Sequence, residues 1–239
     1  MTYIILAAGK GNNLQPLTLK NPKTSYKLDS ETTIIQRLVR KIRQYDKHSE
    51  IVVVLGYLAN QIKKELQDEN VHFVINPFYE VTNSIASVWF ARNYLERENV
   101  TILHGDVVFD DYIMKNYITE YSEYPYVLVD KTKSSYGTYN AVIKENKILV
   151  MSKKLEKYDA KYGCMSKLDA VSSRLVKQKI DDLILANMYD QYFEDTLVQM
   201  VMFDEFELYC EDISKYKWNE IDTVDDLINA QIIHNKLKI

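Results

Sequence analysis

Residues 3–23, YIILAAGKGNNLQPLTLKNPK, decide the fold. Ile4, Ile5, Leu6, Ala7 and Ala8 form a continuous apolar run, the pattern of a short strand buried on both faces. Gly9 and Gly11 then remove side chains where the chain leaves that strand. A turn of this kind directs main-chain N–H groups toward an anion. Pro22 stiffens the return of the chain and delivers Lys23, a phosphate partner by its charge. Two phosphate loops are excluded residue by residue. The dinucleotide fingerprint needs a third glycine where Leu14 stands, and a Walker A loop needs Gly-Lys-Ser/Thr where Lys10 is followed by Gly11. A glycine pair alone is equally the mark of a tight strand-to-helix turn.

Outward from this stretch, strand and helix patterns alternate. Thr32 or Thr33 caps a predicted helix with Ile34, Ile35, Leu38, Val39 and Ile42 at helical spacing. Strands are predicted over 51–55, 71–75, 100–103 and 126–129, with helices over 58–66 and from Asn83 to Leu95. Such repeated βα units imply an α/β fold: a doubly wound, mostly parallel sheet with right-handed crossovers. Residues 139–144 and 147–151 flank Glu145-Asn146 as a hairpin. Helices over 172–185 and 192–202 and a strand over 206–209 follow. Thr223 is a plausible N-cap for a last helix, with Asp225 and Asp226 in its first turn. No repeat or linker interrupts the chain, so 1–239 reads as a single domain. Residues 1–130 form its βα half, 131–215 a small hairpin and helical cover, and 216–239 a closing strand and helix.

Composition narrows the class. With 30 Lys and Arg against 34 Asp and Glu, the net charge of −4 argues against a nucleic-acid partner. No apolar run approaches the roughly 18 residues of a membrane span. The start lacks a signal-peptide pattern, and the expected location is cytoplasmic. Cys164 and Cys210 have no partner spacing for a disulfide framework or a zinc site, and the four histidines show none for a metal site. His104 is assigned to packing or to support of the site. The sequence leaves room for a homodimer.

Asp106 follows the predicted strand in LHGDVVF, where a buried carboxylate needs a partner or a metal. In residues 218–223, WNEIDT, Glu220 and Asp222 alternate along one face of a short strand. Each aspartate is equally at home as a turn or cap residue. Magnesium takes hard oxygen ligands, commonly one or two carboxylates with phosphate oxygens and water. Tyr192 and Glu194 offer an aromatic face and a carboxylate, a pairing suited to an ammonium group, although a helix start gives the same pattern.

The block L-A-A-G-x-G-x-x-L-x-P-L-T followed by P-K, at Leu6 to Thr18 with Pro22 and Lys23, resembles the signature of nucleotidylyltransferases acting on sugar phosphates and phosphocholine-type substrates. The Gly105-Asp106 pair and the closing W-x-E-I-D-T-x-x-D-L-x-x-A segment resemble the same family. Residues 76–87, NPFYEVTNSIAS, are similar to an element of its phosphocholine and aminoalkylphosphonate cytidylyltransferase branch. The resemblance implies a Rossmann-like nucleotidyltransferase with CTP and a small phosphorylated acceptor as partners and Mg2+ as cofactor. It implies that Asp106 and Asp222 hold the metal and that Lys23 is catalytic. Leu6, Ala7, Ala8, Gly9, Lys10, Gly11, Asn13, Asn83, Ser87 and Gly105 would contact the nucleotide, and Asp130, Lys153, Tyr192 and Glu194 the acceptor. One position departs from the pattern: the family usually places arginine before Leu14, and this chain has Asn13.

The expected reaction joins CTP to an acceptor of the phosphocholine, 2-aminoethylphosphonate or glutamine phosphate type and releases pyrophosphate. An acceptor phosphate is already anionic, so alignment and charge neutralisation suffice without a strong base. A sugar 1-phosphate with UTP or dTTP is the second reading. It is disfavoured because residues 163–167, GCMSK, do not form a recognisable sugar loop. A catalytically weak nucleotide-binding regulator is the third, motivated by Asn13.

Overall fold

The computed structural model describes residues 1–132 and 138–236. The predicted segments 131–215 and 216–239 each include residues outside that set. In chain order the first half runs β1 (Thr2–Ala7), α1 (Ile34–Tyr45), β2 (Glu50–Leu55), α2 (Ala59–Glu65), β3 (His72–Ile75), α3 (Ser84–Phe90), β4 (Asn99–His104), β5 (Val107–Phe109), α4 (Asp111–Ile113) and β6 (Tyr126–Asp130). The second half runs β7 (Asn140–Lys144), β8 (Lys147–Ser152), β9 (Ala160–Asp169), α5 (Ala170–Leu185), α6 (Phe193–Phe203), β10 (Tyr209–Asp212), β11 (Trp218–Glu220) and α7 (Val224–Lys236).

Among the described residues, nine strands form one sheet in the order β3-β2-β1-β4-β9-β6-β10-β8-β7. Strands β3, β2, β1 and β4 are parallel, as the βα alternation predicts. Helices cover both faces, and β1 shows why. Tyr3, Ile5 and Ala7 pack with Ile35, Leu38 and Ile42 of α1, while Ile4 packs in the cluster holding Ile85 and Val88 of α3 with Val176 and Ile180 of α5. Period-two alternation in a strand buried on both sides yields the continuous apolar run seen in the sequence. Thr33 caps α1 through a capping box with Gln36.

Some elements depart from expectation. The helix starting at Asn83 stops at Phe90 and gives way to a 3-10 turn, Arg92–Glu96, that carries Leu95. The strand expected over 206–209 lies at Tyr209–Asp212, beside β6. The hairpin β7–β8 is present, but it extends the main sheet, β8 pairing with β10 and β7 with β9. Strand β9 has no counterpart in the sequence reading. It runs antiparallel between β4 and β6, so a reversed strand lies inside an otherwise largely parallel sheet.

A bulge explains why β9 is hard to read. Tyr162 pairs with Val129 and Ser166 with Val127, so three residues of β9 face one of β6. A Cβ on Gly163 would fall 2.8 Å from Leu128 Cβ, and Cys164 takes a left-handed φ of 59°. Lys167 is also buried in β9, where its ammonium donates to the carbonyl oxygens of Tyr117, Ile118 and Glu120. Glycine, a kink and a buried lysine erase the apolar alternation by which a strand is recognised.

Candidate active site

The loop after β1 closes on itself. Gly11 adopts φ 65° and ψ 48°, and its carbonyl accepts the Thr18 hydroxyl at 2.8 Å. A Cβ on Gly11 would lie 3.0 Å from Thr18 Cγ2 and 3.1 Å from Lys23 Cβ, so a larger residue would push Lys23 away. Lys23 points inward instead. Its Nζ lies 2.7 Å from Asp106 Oδ2 and 2.8 Å from Asp222 Oδ1.

Strands β5 and β11 bring those aspartates together. They pair antiparallel with Val107 opposite Glu220, and Ile221 N donates to Asp106 O at 3.0 Å. Asp226 Oδ2 accepts the N–H groups of Asp222 and Thr223 at 3.1 and 2.8 Å, which fixes the start of α7. Burial opposes the Lys23 charge, but the two carboxylates outweigh it and hold the pKa above the ordinary lysine value. Lys23 therefore stays an ammonium. It also reports on metal fit, because two carboxylates from distant segments already converge on one cation.

A cleft opens beyond the carboxyl ends of β1 and β4, where ligands of doubly wound sheets bind. Leu6, Ala8, Gly9, Asn83, Ser87 and Asp106 line it, together with Asn76, Tyr79 and Thr82. Asn76 organises its far wall. Its Nδ2 donates to Thr82 Oγ1 and Ser87 Oγ, both at 3.1 Å, while its Oδ1 accepts Phe78 N at 2.9 Å. Asn83 Oδ1 caps α3 by accepting Ser84 N at 3.0 Å.

A second cleft adjoins it, sharing His104 and Tyr192 and lined also by Tyr139, Lys153, Lys161, Glu194, Glu220 and Asp222. Tyr139 and Tyr192 meet edge to face at 5.6 Å. Asp195 holds the pair, accepting the Tyr139 hydroxyl at 2.8 Å and Tyr192 N at 3.0 Å. The Lys153 ammonium sits 3.9 Å from the Tyr192 ring centroid and 5.4 Å from that of Tyr139. Glu194 is buried; its Oε1 lies 2.7 Å from His104 Nε2, and its Oε2 has no hydrogen-bond partner among the described residues. Lys161 pairs with Glu220 at 2.9 Å. Burial opposes ionisation of Glu220, yet His104 and Lys161 hold its carboxyl well below the usual carboxylate range. Burial, aided by Glu220, pushes the Cys164 thiol up to about 12.

The fold brings several of the expected residues together. Lys23, Asp106 and Asp222 come together, and Leu6, Ala8, Gly9, Asn83 and Ser87 line the first cleft. Lys153, Tyr192 and Glu194 line the second. Other predicted contacts lie elsewhere. Ala7 faces the α1 core, and Gly105 closes β4 onto Leu6 O at 2.9 Å. Lys10 turns outward to Glu80 at 2.7 Å, and Gly11 shapes the turn. Asn13 is exposed at the edge of the second cleft. Asp130 is off the cleft walls. One of its oxygens accepts from Thr132 N and Oγ1 at 2.8 and 2.6 Å, and the other from Trp218 Nε1 at 2.7 Å. Tyr139, Lys161 and Cys164 were not among the site residues expected from the sequence, because only β9 and the hairpin bring them to the cleft.

On a mixed sheet of this order, a glycine turn feeds a lysine onto two strand-end aspartates. The chain belongs to the MobA-like NTP transferase domain family, which matches residues 3–145. It is 32% identical over 139 residues to the CTP:phosphoglutamine cytidylyltransferase of Campylobacter jejuni subsp. jejuni, an alignment covering 55% of this chain and 53% of that protein. It is 23% identical over 216 residues to the bifunctional protein GlmU of Francisella tularensis subsp. novicida, covering 85% of this chain and 45% of that one. The chain thus spans about half the length of these curated relatives. Among solved structures, the CTP:phosphocholine cytidylyltransferase of Streptococcus pneumoniae superposes with a TM-score of 0.79 at 19% identity, covering 98% of both chains. The inositol-1-phosphate CTP transferase of T. maritima gives 0.79 at 21% identity, covering 99% of this chain and 96% of that one. At these identities the superpositions establish the fold alone. Among the described residues, no helix is long and apolar enough to cross a membrane.

Proposed function

We propose that this chain is a magnesium-dependent cytidylyltransferase. It joins CTP to a small phosphorylated or phosphonylated acceptor that carries an amine, giving a CDP-linked product and pyrophosphate. The observation that carries the reading is the Lys23 ammonium bridging Asp106 and Asp222, where the two clefts meet. The acceptor phosphate oxygen attacks the α-phosphorus, and the bond from that phosphorus to the α–β bridging oxygen breaks. Lys23 stabilises charge that grows around the α-phosphate. Asp106 and Asp222 would hold magnesium, which on binding neutralises phosphate charge and orients the triphosphate.

The choice of CTP is supported by the name of the Campylobacter relative and by the Asn76–Ser87 wall. The Ser87 hydroxyl accepts from Asn76, leaving its proton for a base carbonyl. An amine-bearing acceptor is supported by the second cleft: Tyr192 and Tyr139 already receive one ammonium, that of Lys153, beside the buried Glu194 carboxylate. In this reading the acceptor amine takes the place of Lys153 on the aromatic pair, and the freed ammonium turns to the acceptor phosphate.

Pyrophosphate release with magnesium, each nucleoside triphosphate and a panel of acceptors tests the proposal. CTP with an amine-bearing acceptor should turn over, and Asp106→Asn should abolish that turnover with the fold intact. Turnover only with sugar 1-phosphates and UTP or dTTP would replace the substrate assignment. Tight nucleotide binding without turnover of any acceptor would replace the enzyme with a regulator.

A further inference from the structure

Spacing along the chain offers its histidines and cysteines no metal site, yet folding assembles a donor set from three distant segments. His104 at the end of β4, Cys164 in the β9 bulge and Glu220 at the end of β11 place donor atoms within 4.8 Å of one another. Glu194 Oε1 lies 2.7 Å from His104 Nε2, which leaves Nδ1 facing Glu220 Oε1 at 3.8 Å. A carboxylate behind an imidazole is the arrangement that orients a metal-binding histidine. Glu220 Oε2 is occupied by Lys161 at 2.9 Å, so Oε1 can serve as a ligand without breaking that pair. Glu194 Oε2 is buried on the same cleft wall without a hydrogen-bond partner among the described residues. A cation held by His104 would add positive charge beside that carboxylate.

We propose that His104, Cys164 and Glu220 bind a zinc-class divalent cation. Nitrogen, sulfur and oxygen donors suit zinc, whereas magnesium takes oxygen ligands, so this set is chemically separate from the Asp106–Asp222 pair beside it. Three protein donors leave a fourth tetrahedral position, open to the second cleft for water. On binding, the cation displaces the Cys164 thiol proton and any proton on His104 Nδ1 to solvent.

Cobalt(II), titrated into the full chain in magnesium buffer, tests the site by absorption without reference to transferase activity. A near-ultraviolet thiolate-to-cobalt band should grow to one equivalent and disappear when zinc is added. It should vanish in Cys164→Ser and persist in Cys210→Ser. Glu220→Gln should weaken binding by at least the roughly tenfold that loss of an outer partner costs. No such band in the native chain, or an undiminished band in Cys164→Ser, overturns the proposal. Zinc K-edge absorption of the native chain gives a reading that needs no variant to fold. One sulfur among nitrogen and oxygen neighbours supports the site, and nitrogen and oxygen neighbours alone refute it.

Discussion

Replacing Lys23 by methionine separates its structural role from its chemical one. In the native chain its ammonium touches two carboxylates, at 2.7 and 2.8 Å, with its side chain only 13% exposed. At an effective dielectric constant of about 20, each contact amounts to roughly 6 kcal/mol of direct Coulomb attraction. Desolvation of the three ions consumes most of that. Removing one partner of a buried pair nevertheless costs about 3–5 kcal/mol, because charge is left uncompensated. Lys23→Met should therefore lower the unfolding free energy by about 3 kcal/mol in chelator. Millimolar magnesium should restore much of the loss, since the two aspartates then share a different cation. Catalysis should not recover: the rate of pyrophosphate release should fall by about 100–1000-fold, the usual cost of losing one donor to transition-state charge. Urea denaturation with and without magnesium, together with steady-state kinetics, reads both effects. Equal destabilisation in chelator and in magnesium, or a rate within threefold of the native chain, would refute the reasoning.

The remaining predictions concern neighbouring features. Gly163→Ala would place a Cβ 2.8 Å from Leu128 Cβ, and the urea midpoint should reveal a loss of about 1–3 kcal/mol. Burial pulls the Lys167 pKa down to about 7, against the opposing pull of Glu120 and Asp46. The folded chain thus holds fewer protons at Lys167 than the unfolded chain between pH 7 and the ordinary lysine value. The penalty is full below about pH 7 and is relieved as pH rises. Native stability should accordingly rise relative to Lys167→Met between pH 7 and pH 9, and parallel pH profiles would contradict this. Tyr192→Ala removes the closer cation–π face, so the KM for an amine-bearing acceptor should rise by about 5–30-fold, with the KM for CTP changing far less.

Local pattern fixed the first half of the fold. A strand buried on both faces must be apolar throughout, and a helix must repeat its apolar stripe, so β1, α1, β2 and β4 could be read directly. The glycine turn, Lys23, Asp106 and Asp222 were legible for a related reason: each belongs to a short motif whose residues are neighbours in sequence. Strand β9 was not legible, because Gly163, the kink at Cys164 and the buried Lys167 break the alternation that marks a strand. Everything that depends on β9 was hidden with it, including the Lys161–Glu220 pair and the cluster of Cys164 with His104.

The sequence by itself determined a parallel α/β sheet whose first strand ends in a glycine turn, with a lysine and two aspartates in short motifs at chain turns. Only the tertiary structure decided where those charges point. Asp106 and Asp222 are brought onto one ammonium by β5 pairing with β11, Lys10 is drawn away by Glu80, and the Asp130 carboxylate is taken up by Thr132 and Trp218. The physical reason is that strand propensity and turn chemistry act between neighbours in sequence. The partner of a buried charge is chosen by chain segments that meet only when the sheet closes.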